Sequence, residues 1–233
     1  EIEADSLIPY PLDEVSLDFE SISVNESDPS KVNVLLSAAR TESIEARVAA
    51  LEFGDFDAKV IDVESYAVSR SYELCLSMLP DDAINKMVAI VDIGASMTLF
   101  SVSHAGKHIY SRDQIFGGEQ YTRSIVSYYN KSFEEAELVK VKGELPPNYH
   151  FEVLAPFHTI LVQQIRRAIQ MFLTSSGHDK VDYLVISGGS SLVEGVRELL
   201  TEELGIYTVI ANPFEQMELA EGLDNNELAS FAP

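Results

Sequence analysis

The sequence has little cysteine, few basic residues and no long hydrophobic run, and each shortage argues against one kind of structure or partner. The single cysteine, Cys75, excludes a disulfide within these residues and is typical of a reducing compartment. Lys and Arg number 16 against 38 Asp and Glu, so the formal net charge of −22 disfavours nucleic acid or an anionic membrane as a partner of the general surface. Every apolar run is far shorter than the roughly 20 residues of a membrane-spanning helix. With 46% hydrophobic residues, the composition is that of a soluble globular protein.

Motifs of several enzyme and metal-binding classes are absent as well. The histidines are scattered, and none forms HExxH or pairs with Cys75 at the spacing of metal ligands. The stretch SGGSS at 187–191 matches neither GxGxxG nor GxSxG, so neither a dinucleotide fingerprint nor a hydrolase elbow is predicted. From Glu194 to Leu228, nine acids accompany one base, Arg197. An anionic ligand would therefore have to be held by backbone amides, a cation or a local lysine.

The two ends of the sequence do not resemble natural termini. The chain starts at Glu1 without a methionine, and its acidic start is unlike the basic start of a secretory signal. The last residues, FAP, follow no closing element. We therefore expect both ends to be cuts within a longer polypeptide.

The stretch from Val88 to Ala105 is the central motif of the sequence, and it predicts a strand, a tight turn and a second strand. It contains an apolar run, Val88–Val91, long enough for one buried strand, and a second β-rich run, Met97–Val102. The turn between them, DIGAS, contains a glycine that tolerates close backbone approach, so its N–H groups can meet an anion such as a nucleotide phosphate. Asp92 is suited to hold the water shell of a Mg²⁺ ion. The alternative is an ordinary β-hairpin with an aspartate at its turn.

Before this stretch, the pattern predicts the order β-β-α-β-α. Alternating apolar residues predict strands at 15–24 and 32–38, and a capping signal at Thr41 begins a helix that ends near Gly54. A short strand at 58–63 and a helix at 64–79 follow. The expected hinge to the central stretch is Pro80-Asp81-Asp82.

After it, two more glycine turns stand beside regular elements. A third strand is predicted at 109–111, and Gly117-Gly118 opens a helix whose N-terminal N–H groups could also bind an anion, or simply a helix that needs a turn. A short helix at 132–141 carries Glu137 and Lys140 on one face. A strand at 181–187 runs into Gly188-Gly189 and a further helix. The remaining predicted elements are the long helix 151–174, the strand 206–210 and a C-terminal amphipathic helix.

The order of these motifs resembles that of the actin, Hsp70 and sugar-kinase superfamily of ATP-binding proteins. In that superfamily an Asp-x-Gly strand-turn-strand is the second phosphate loop, and a late strand–Gly-Gly–helix is the adenosine motif. The stretch AELVK at 136–140 resembles the superfamily's Ala-Glu-x-x-Lys helix. Within the superfamily the chain is most similar to the PilM family of type IV pilus assembly, and less similar to FtsA of cell division. The stretches that carry this similarity are IEADSLIPYPLDEVSLDF, VIDVESYA, VDIGASMTLFSV, FGGEQYT and ISGGSSLVEGV.

The resemblance implies an α/β fold of the actin-like, ribonuclease H-like kind, with two lobes and ATP between them. It places a small extra subdomain, like subdomain 1C of FtsA, at 1–56 and the remainder of the first lobe at 57–86. The second lobe, with the second phosphate loop and the adenosine motif, would occupy 87–215. A C-terminal return segment would occupy 216–233.

The resemblance also implies roles for the residues that match the family's motifs. Asp92 would contact the water shell of Mg²⁺. The β- and γ-phosphates would be lined by Gly94, Ala95, Ser96 and Thr98. The ribose would be flanked by Gly118, Glu137 and Lys140, and the adenine would be approached by Gly188, Gly189 and Ser190.

The family's partners follow from the same resemblance. PilM-like proteins bind the short cytoplasmic N-terminal peptide of the inner-membrane protein PilN in a groove beside the small subdomain, and link it to other inner-membrane components and to cytoplasmic pilus motors. The implied function is a cytoplasmic ATP-binding scaffold at the inner membrane, with weak or no ATPase activity and self-association left open. Alternatives are an FtsA-like protein, an active ATPase, a sugar-kinase-type phosphotransferase, or a structural domain without a ligand. The candidate groove residues are Ile8, Tyr10, Leu12, Val15 and Phe19.

One departure from the superfamily pattern limits this expectation. The first phosphate loop, another Asp-containing strand-turn-strand, should precede Asp92, but Asp92-Ile93-Gly94 is the only Asp-x-Gly of the sequence. The fold is therefore expected to lack its N-terminal part here. We expect this polypeptide by itself to bind nucleotide weakly or not at all.

Overall fold

A computed structural model describes residues 8–25, 27–80, 82–220, 222–224 and 228–233. The chain divides into two compact units, Glu1–Val63 and Glu64–Pro233. Some predicted positions lie outside the described residues: 1–7 and 26 of the small subdomain, 81 of the hinge, and 221 and 225–227 of the C-terminal segment.

The first unit contains an antiparallel β-hairpin followed by a helix. Strand β1 (Val15–Val24) pairs with β2 (Val32–Arg40), and helix α1 (Thr41–Phe53) begins directly after β2. These bounds agree closely with the strands and the helix that the sequence predicts. The alternation of apolar and polar residues in β1 produces one apolar face, which is exposed over most of its length.

A β-bulge keeps this face apolar to the tip of the hairpin. The pairing register shifts by one residue between Ser21 and Ser23. Because side chains alternate between the two faces of a strand, the extra residue moves Val24 onto the face of Phe19 and Val34. A groove of about 560 Å³ opens beside the other end of the hairpin, and it is lined by Ile8, Pro9, Tyr10, Val15, Leu36, Ala38, Ala39 and Arg40.

The second unit is built on a five-stranded mixed sheet. Its strands lie in the spatial order β5-β4-β3-β6-β7. The pairs β3–β4 and β4–β5 are antiparallel, and the pairs β3–β6 and β6–β7 are parallel. The strands are β3 (Val88–Ile93), β4 (Thr98–His104), β5 (Lys107–Gln114), β6 (Tyr183–Ser187) and β7 (Tyr207–Ile210).

The central strand β3 is apolar without alternation because both faces of the sheet are buried. Val91 and Ile93 belong to the larger core, and Val88 and Ile90 belong to a second core on the opposite face. Asp92 shares the face of Val88 and Ile90, since successive side chains of a strand point to opposite faces.

Helices cover both faces of this sheet. The longest, α5, has 22 residues and follows a π-helical turn at His150–Leu154. In the described ranges, no helix is both long and apolar enough to cross a lipid bilayer. The helices of the unit are α2 (Glu64–Ser71), α3 (Gly118–Tyr129), α4 (Phe133–Lys142), α5 (Ala155–Ser176) and α6 (Val196–Leu204), with 3₁₀ turns at Tyr72–Met78, Ala83–Asn85 and Gly189–Leu192.

Two elements predicted from the sequence are wrong. Residues 58–63 form no strand: among the described residues no strand pairs with them, and Val60 is 79% exposed. The amphipathic helix predicted toward the C-terminus is also missing from residues 213–220. There the Asn212 side chain accepts a hydrogen bond from the N–H of Phe214, which closes a turn around Pro213 in place of a first helical turn.

Candidate functional site

The three glycine turns of the second unit meet at one carbonyl group. The carbonyl oxygen of Gly94, in the β3–β4 turn, accepts the N–H of Gly118 at 3.0 Å and the Oγ hydroxyl of Ser190 at 3.2 Å. The neighbouring carbonyl of Ala95 accepts the N–H of Glu119 at 2.8 Å. The hairpin turn, the start of α3 and the turn after β6 are therefore joined directly to one another.

This junction explains why glycine occupies the turns. A Cβ atom at Gly117 would lie 2.4 Å from the carbonyl oxygen of Ala95, closer than any side chain tolerates. A Cβ atom at Gly188 would lie 2.5 Å from the carbonyl oxygen of Ile93, and Gly188 also has a positive φ of 78°. Close packing of one turn against another thus requires glycine at these two positions.

A cleft of about 580 Å³ opens over the junction. Eight of the eleven residues expected to hold a nucleotide line it: Gly94, Ala95, Ser96, Gly118, Glu137, Lys140, Gly189 and Ser190. The remaining lining residues are Glu119, Phe133, Val141 and Val193. Residues far apart in sequence, from three separate turns and from α4, therefore share one surface.

The structure decides between the two interpretations of the helix start at Gly117-Gly118. The N–H groups of Gly118 and Glu119 donate to the carbonyls of the β3–β4 turn, so they are not free for an anion. Within that turn the N–H of Gly94 donates to the carbonyl of Met97 at 3.0 Å. In the described part of the chain, the exposed N–H groups of Ala95 and Ser96 form no hydrogen bond. They are the donors that an anion could meet.

The polar groups on the other side of the cleft form a connected set. Lys140 donates to Glu137 Oε1 at 2.7 Å and to Thr122 Oγ1 at 2.8 Å, and Thr122 Oγ1 also contacts Glu137 Oε1. Helix α4 places Glu137 and Lys140 one turn apart, and its start is fixed by a capping box between Ser132 and Glu135. Thr122 is fully buried on α3, which fixes the pair against that helix.

These contacts set the ionisation of Glu137. Partial burial raises the pKa of its carboxyl, but hydrogen bonds from Lys140 and Thr122 lower it further, so the pKa lies below its ordinary value. Glu137 is therefore a carboxylate at neutral pH. Glu119, the other acid of the cleft, is paired with Arg123 at 2.8 Å.

Three of the expected residues do not line this cleft. Thr98 is buried, and its hydroxyl donates to the carbonyl of Phe116 at 2.8 Å, so it holds the hairpin against the segment before α3. Gly188 packs against Ile93 as described above. Asp92 lies on the other face of β3 and lines a separate cavity of about 150 Å³ with Ser187, Tyr72 and Cys75 among others.

The surroundings of Asp92 limit what metal chemistry it could support. Ser187 donates its hydroxyl to Asp92 Oδ1 at 2.8 Å, which leaves Oδ2 as the free acceptor. Across the described ranges, no three His, Cys, Asp or Glu side chains are grouped closely enough to hold a metal ion. One carboxylate fits a Mg²⁺ ion that keeps most of its water shell, and it does not fit a site made of protein ligands alone.

Sequence reasoning missed five residues of the site, one of which is the cleft acid Glu119. Phe133, Val141 and Val193 supply apolar surface to the cleft, and Thr122 holds the charged pair. Thr122 was open to prediction, because it lies four residues after Gly118 and hence on the same face of α3. The three apolar residues carry no such signal, since Phe133 and Val141 meet the cleft only after α4 has packed, and Val193 only after the turn that follows β6 has formed.

Solved structures with similar folds support this description. One chain, described as "PilM-PilN type IV pilus biogenesis complex", is 25% identical with a TM-score of 0.80, and the match covers all of this chain and 66% of that chain. Ta0583, an archaeal actin homolog in complex with ADP, has a TM-score of 0.52 at 14% identity, covering 87% of this chain and 58% of that chain. MreB5 of Spiroplasma citri bound to ADP has a TM-score of 0.50 at 15% identity, covering 75% and 62%.

These likenesses establish the fold class. The two actin homologues show by fold alone that the predicted actin-like α/β class is confirmed. This chain spans 66% of the length of the pilus-complex chain it matches. The sequence profile of the family described as type IV pilus assembly protein PilM matches residues 1–233. The chain therefore belongs to the PilM family of type IV pilus assembly proteins.

Proposed function

We propose that this chain is part of an ATP-binding scaffold of the type IV pilus inner-membrane complex, and that it binds the cytoplasmic N-terminal peptide of PilN. The observation that carries the nucleotide half of this proposal is the junction at the Gly94 carbonyl. It brings the three glycine turns of the superfamily pattern, together with Glu137 and Lys140, to one cleft.

Each part of the cleft suits one part of ATP. The free N–H groups of Ala95 and Ser96, the Ser96 hydroxyl and the close approach at Gly94 suit phosphate oxygens. Next to Gly118, the Glu137–Lys140 pair offers an acceptor and a donor, which suit the hydroxyls of ribose. Gly189 and Ser190, which follow Gly188, lie beside apolar Val193 and suit the flat face of adenine.

Asp92 lies on the other face of β3 from the cleft, so in this proposal it would hold a Mg²⁺ ion through water where the phosphates extend past the Gly94 turn to that face. The ion would neutralise phosphate charge beside a chain that is itself strongly acidic. Thr98 would act beneath the phosphates by holding the hairpin in place, since its hydroxyl is committed to Phe116.

The state of the acids favours a scaffold over a phosphotransferase. Glu119 is paired with Arg123, and Glu137 is paired with Lys140. Partial burial raises the pKa of Glu137, but the hydrogen bonds from Lys140 and Thr122 lower it below its ordinary value, so its carboxylate is a weak base toward a water molecule or a sugar hydroxyl, and the Glu119 carboxylate is engaged by Arg123. The account assigns ATP the role of a structural ligand that is hydrolysed slowly or not at all.

The partner half of the proposal rests on the groove of the first unit. Ile8, Tyr10 and Val15, three of the five residues expected there, line it together with Leu36. A groove of about 560 Å³ with apolar walls and the single cation Arg40 at its edge suits a short apolar peptide segment. The similar structure described as a PilM–PilN complex supports PilN as the source of that peptide. The protein would then be cytoplasmic and peripheral at the inner membrane, where other pilus and motor components join it.

A thermal-shift experiment on the full-length protein tests the nucleotide half. At ATP and Mg²⁺ concentrations about 100-fold above Kd, binding to the native state adds about 2.7 kcal/mol, which raises Tm by several degrees. An unchanged Tm, with no binding seen by calorimetry, would leave a structural domain without nucleotide. Rapid turnover that Asp92→Ala abolishes would favour the ATPase alternative.

A further inference from the structure

Thr122 lies at the centre of the polar set beside the cleft, although it has no role among the residues that the superfamily pattern assigns to the nucleotide. Its side chain is fully buried on α3, between the glycine turn at Gly118 and helix α4. Its Oγ1 accepts from the Lys140 ammonium at 2.8 Å, contacts Glu137 Oε1, and lies 3.1 Å from the carbonyl of Gly118. One hydroxyl thus connects the start of α3 to both charged residues of α4.

The hydroxyl is needed on both sides of the pair. A threonine hydroxyl has one proton to donate and lone pairs to accept. Since Lys140 can only donate, the Thr122 oxygen accepts from it and directs its own proton to Glu137 Oε1 or to the Gly118 carbonyl. Both long side chains are therefore held in one orientation by a buried group that cannot move with solvent.

This arrangement leaves one donor of Lys140 and one acceptor of Glu137 without a partner among the described residues. Lys140 uses two of its three N–H donors, one to Thr122 and one to Glu137. Among the described residues, the hydrogen bonds of the Glu137 carboxylate involve Oε1, so Oε2 remains as an acceptor. The side chains are 17% exposed for Lys140 and 38% exposed for Glu137, so both reach the cleft surface.

We propose that Thr122 is a positioning residue that makes this site selective for a ribonucleotide, by holding Glu137 Oε2 and the third Lys140 N–H where they meet the ribose hydroxyls. This inference rests on the proposed nucleotide function and deepens it. One free acceptor and one free donor match hydroxyl groups, each of which both donates and accepts. A sugar without the two hydroxyls leaves Glu137 Oε2 and the third Lys140 N–H without partners in a partly buried site, which lowers its affinity.

The test compares ATP with 2′,3′-dideoxy-ATP in the full-length protein. Thr122→Val keeps the shape of the side chain and removes the hydroxyl, and Thr122→Ser keeps the hydroxyl and removes a methyl group. Thr122→Ala removes both and serves as a second hydroxyl-free variant if Thr122→Val does not fold. Calorimetry gives Kd for both nucleotides, and a thermal melt without nucleotide confirms that each variant is folded.

The wild type is expected to bind ATP at least about tenfold more tightly than the dideoxy analogue, because charged hydrogen bonds are lost with the hydroxyls. In Thr122→Val the ratio of the two Kd values is expected to approach one, with the Kd of the dideoxy analogue nearly unchanged. Thr122→Ser is expected to restore the ratio, which a merely structural role of Thr122 would not produce.

Two contrary results separate the inference from the function on which it rests. If the wild type binds ATP and a folded Thr122→Val variant keeps the same preference for ATP, the positioning role is overturned and the nucleotide function stands. If the wild type binds neither nucleotide, the proposed nucleotide function fails first.

Discussion

Asp182 and Met87 hold each other by two reciprocal hydrogen bonds at the entry to the central strands. The N–H of Asp182 donates to the Met87 carbonyl at 2.8 Å, and the N–H of Met87 donates to Asp182 Oδ2 at 3.0 Å. Lys180 pairs with the other carboxylate oxygen at 2.5 Å. Because β3 and β6 start here and their pairing ends at Asp92 and Ser187, this contact fixes the register of the two strands that present the glycine turns.

Replacing Asp182 is therefore expected to lower the stability of the second unit. Asp182→Ala leaves the N–H of Met87 without its acceptor next to the core, which should cost about 1–3 kcal/mol in the free energy of unfolding. Denaturant titration of the wild type and of Asp182→Ala measures this difference in the free energy of unfolding. Asp179→Ala removes the same charge from an exposed position and should change stability by less than about 0.5 kcal/mol.

The pH dependence of this contact has a definite sign. Burial raises the pKa of Asp182, but hydrogen bonds from Lys180 and the Met87 N–H lower it below its ordinary value of 3.8. A lowered pKa in the folded state gives stability that is present above the unfolded value and lost as the pH falls through the folded value. The stability gap between wild type and Asp182→Ala should narrow below about pH 3.8. A gap that widens in acid would contradict this assignment.

Gly117 should tolerate no side chain, whereas Gly189 should tolerate one. A Cβ atom at Gly117 would lie 2.4 Å and 2.5 Å from the carbonyl oxygens of Ala95 and Gly94, which are backbone atoms with little freedom to move. Gly117→Ala is expected to cost about 1–3 kcal/mol and to open the junction between the turns. A Cβ atom at Gly189 meets nothing within 4 Å, so Gly189→Ala should stay within about 0.5 kcal/mol of wild type. Equal unfolding free energies for the two variants would argue against the junction.

Lys140 and Lys142 make a matched pair on one helix. Lys140→Met removes the cation that holds Glu137, so ATP affinity is expected to fall about tenfold or more and the pKa of Glu137 to rise. Lys142→Met removes the same charge from an exposed position outside the cleft and should leave the Kd nearly unchanged. Calorimetric titration with ATP compares the two. A similar loss of ATP affinity in both variants would mean that the effect comes from net charge and not from a contact of Lys140 in the cleft.

Variants of Tyr10 and Phe19 distinguish peptide binding in the groove from binding on the rest of the apolar hairpin face. Tyr10 lines the groove with the Arg40 guanidinium 4.5 Å from its ring centroid, whereas Phe19 is 74% exposed on the same unit and lies outside the groove. Tyr10→Ala should weaken binding of a labelled PilN N-terminal peptide about tenfold, as truncation of a central aromatic contact does. Phe19→Ala should leave the peptide's fluorescence anisotropy curve unchanged. The reverse pattern would move the peptide site out of the groove and to the middle of the hairpin, where Phe19 lies opposite Leu36.

Local sequence signals predicted most of the elements that carry the cleft. The apolar run before Asp92 specifies a strand buried on both faces, and the small residues after it leave only a tight turn. The apolar run before Gly188 likewise specifies a buried strand, β6, followed by a tight turn. Predictions failed where a strand needs a partner that the sequence cannot name, as at 58–63, or where a side chain closes a turn, as Asn212 does.

The arrangement of the site was less predictable because it depends on contacts across the fold. The glycines at 94, 117, 118 and 188 were visible as turns, but the sequence does not show that their backbones touch one another. Packing also decided that the N–H groups of Gly118 and Glu119 serve the hairpin in place of a ligand. The face of β3 on which Asp92 lies follows from the alternation, yet its separation from the cleft became visible only with the helices in place.

The most direct test of the account is to identify the nucleotide that the full-length protein holds. The purified protein is denatured, and the released nucleotide is identified and quantified by chromatography. The account predicts intact ATP at close to one per chain, because the cleft binds nucleotide and keeps its own acids paired. Protein that releases no nucleotide, and that gains no ATP on incubation with ATP and Mg²⁺ followed by gel filtration, would contradict it.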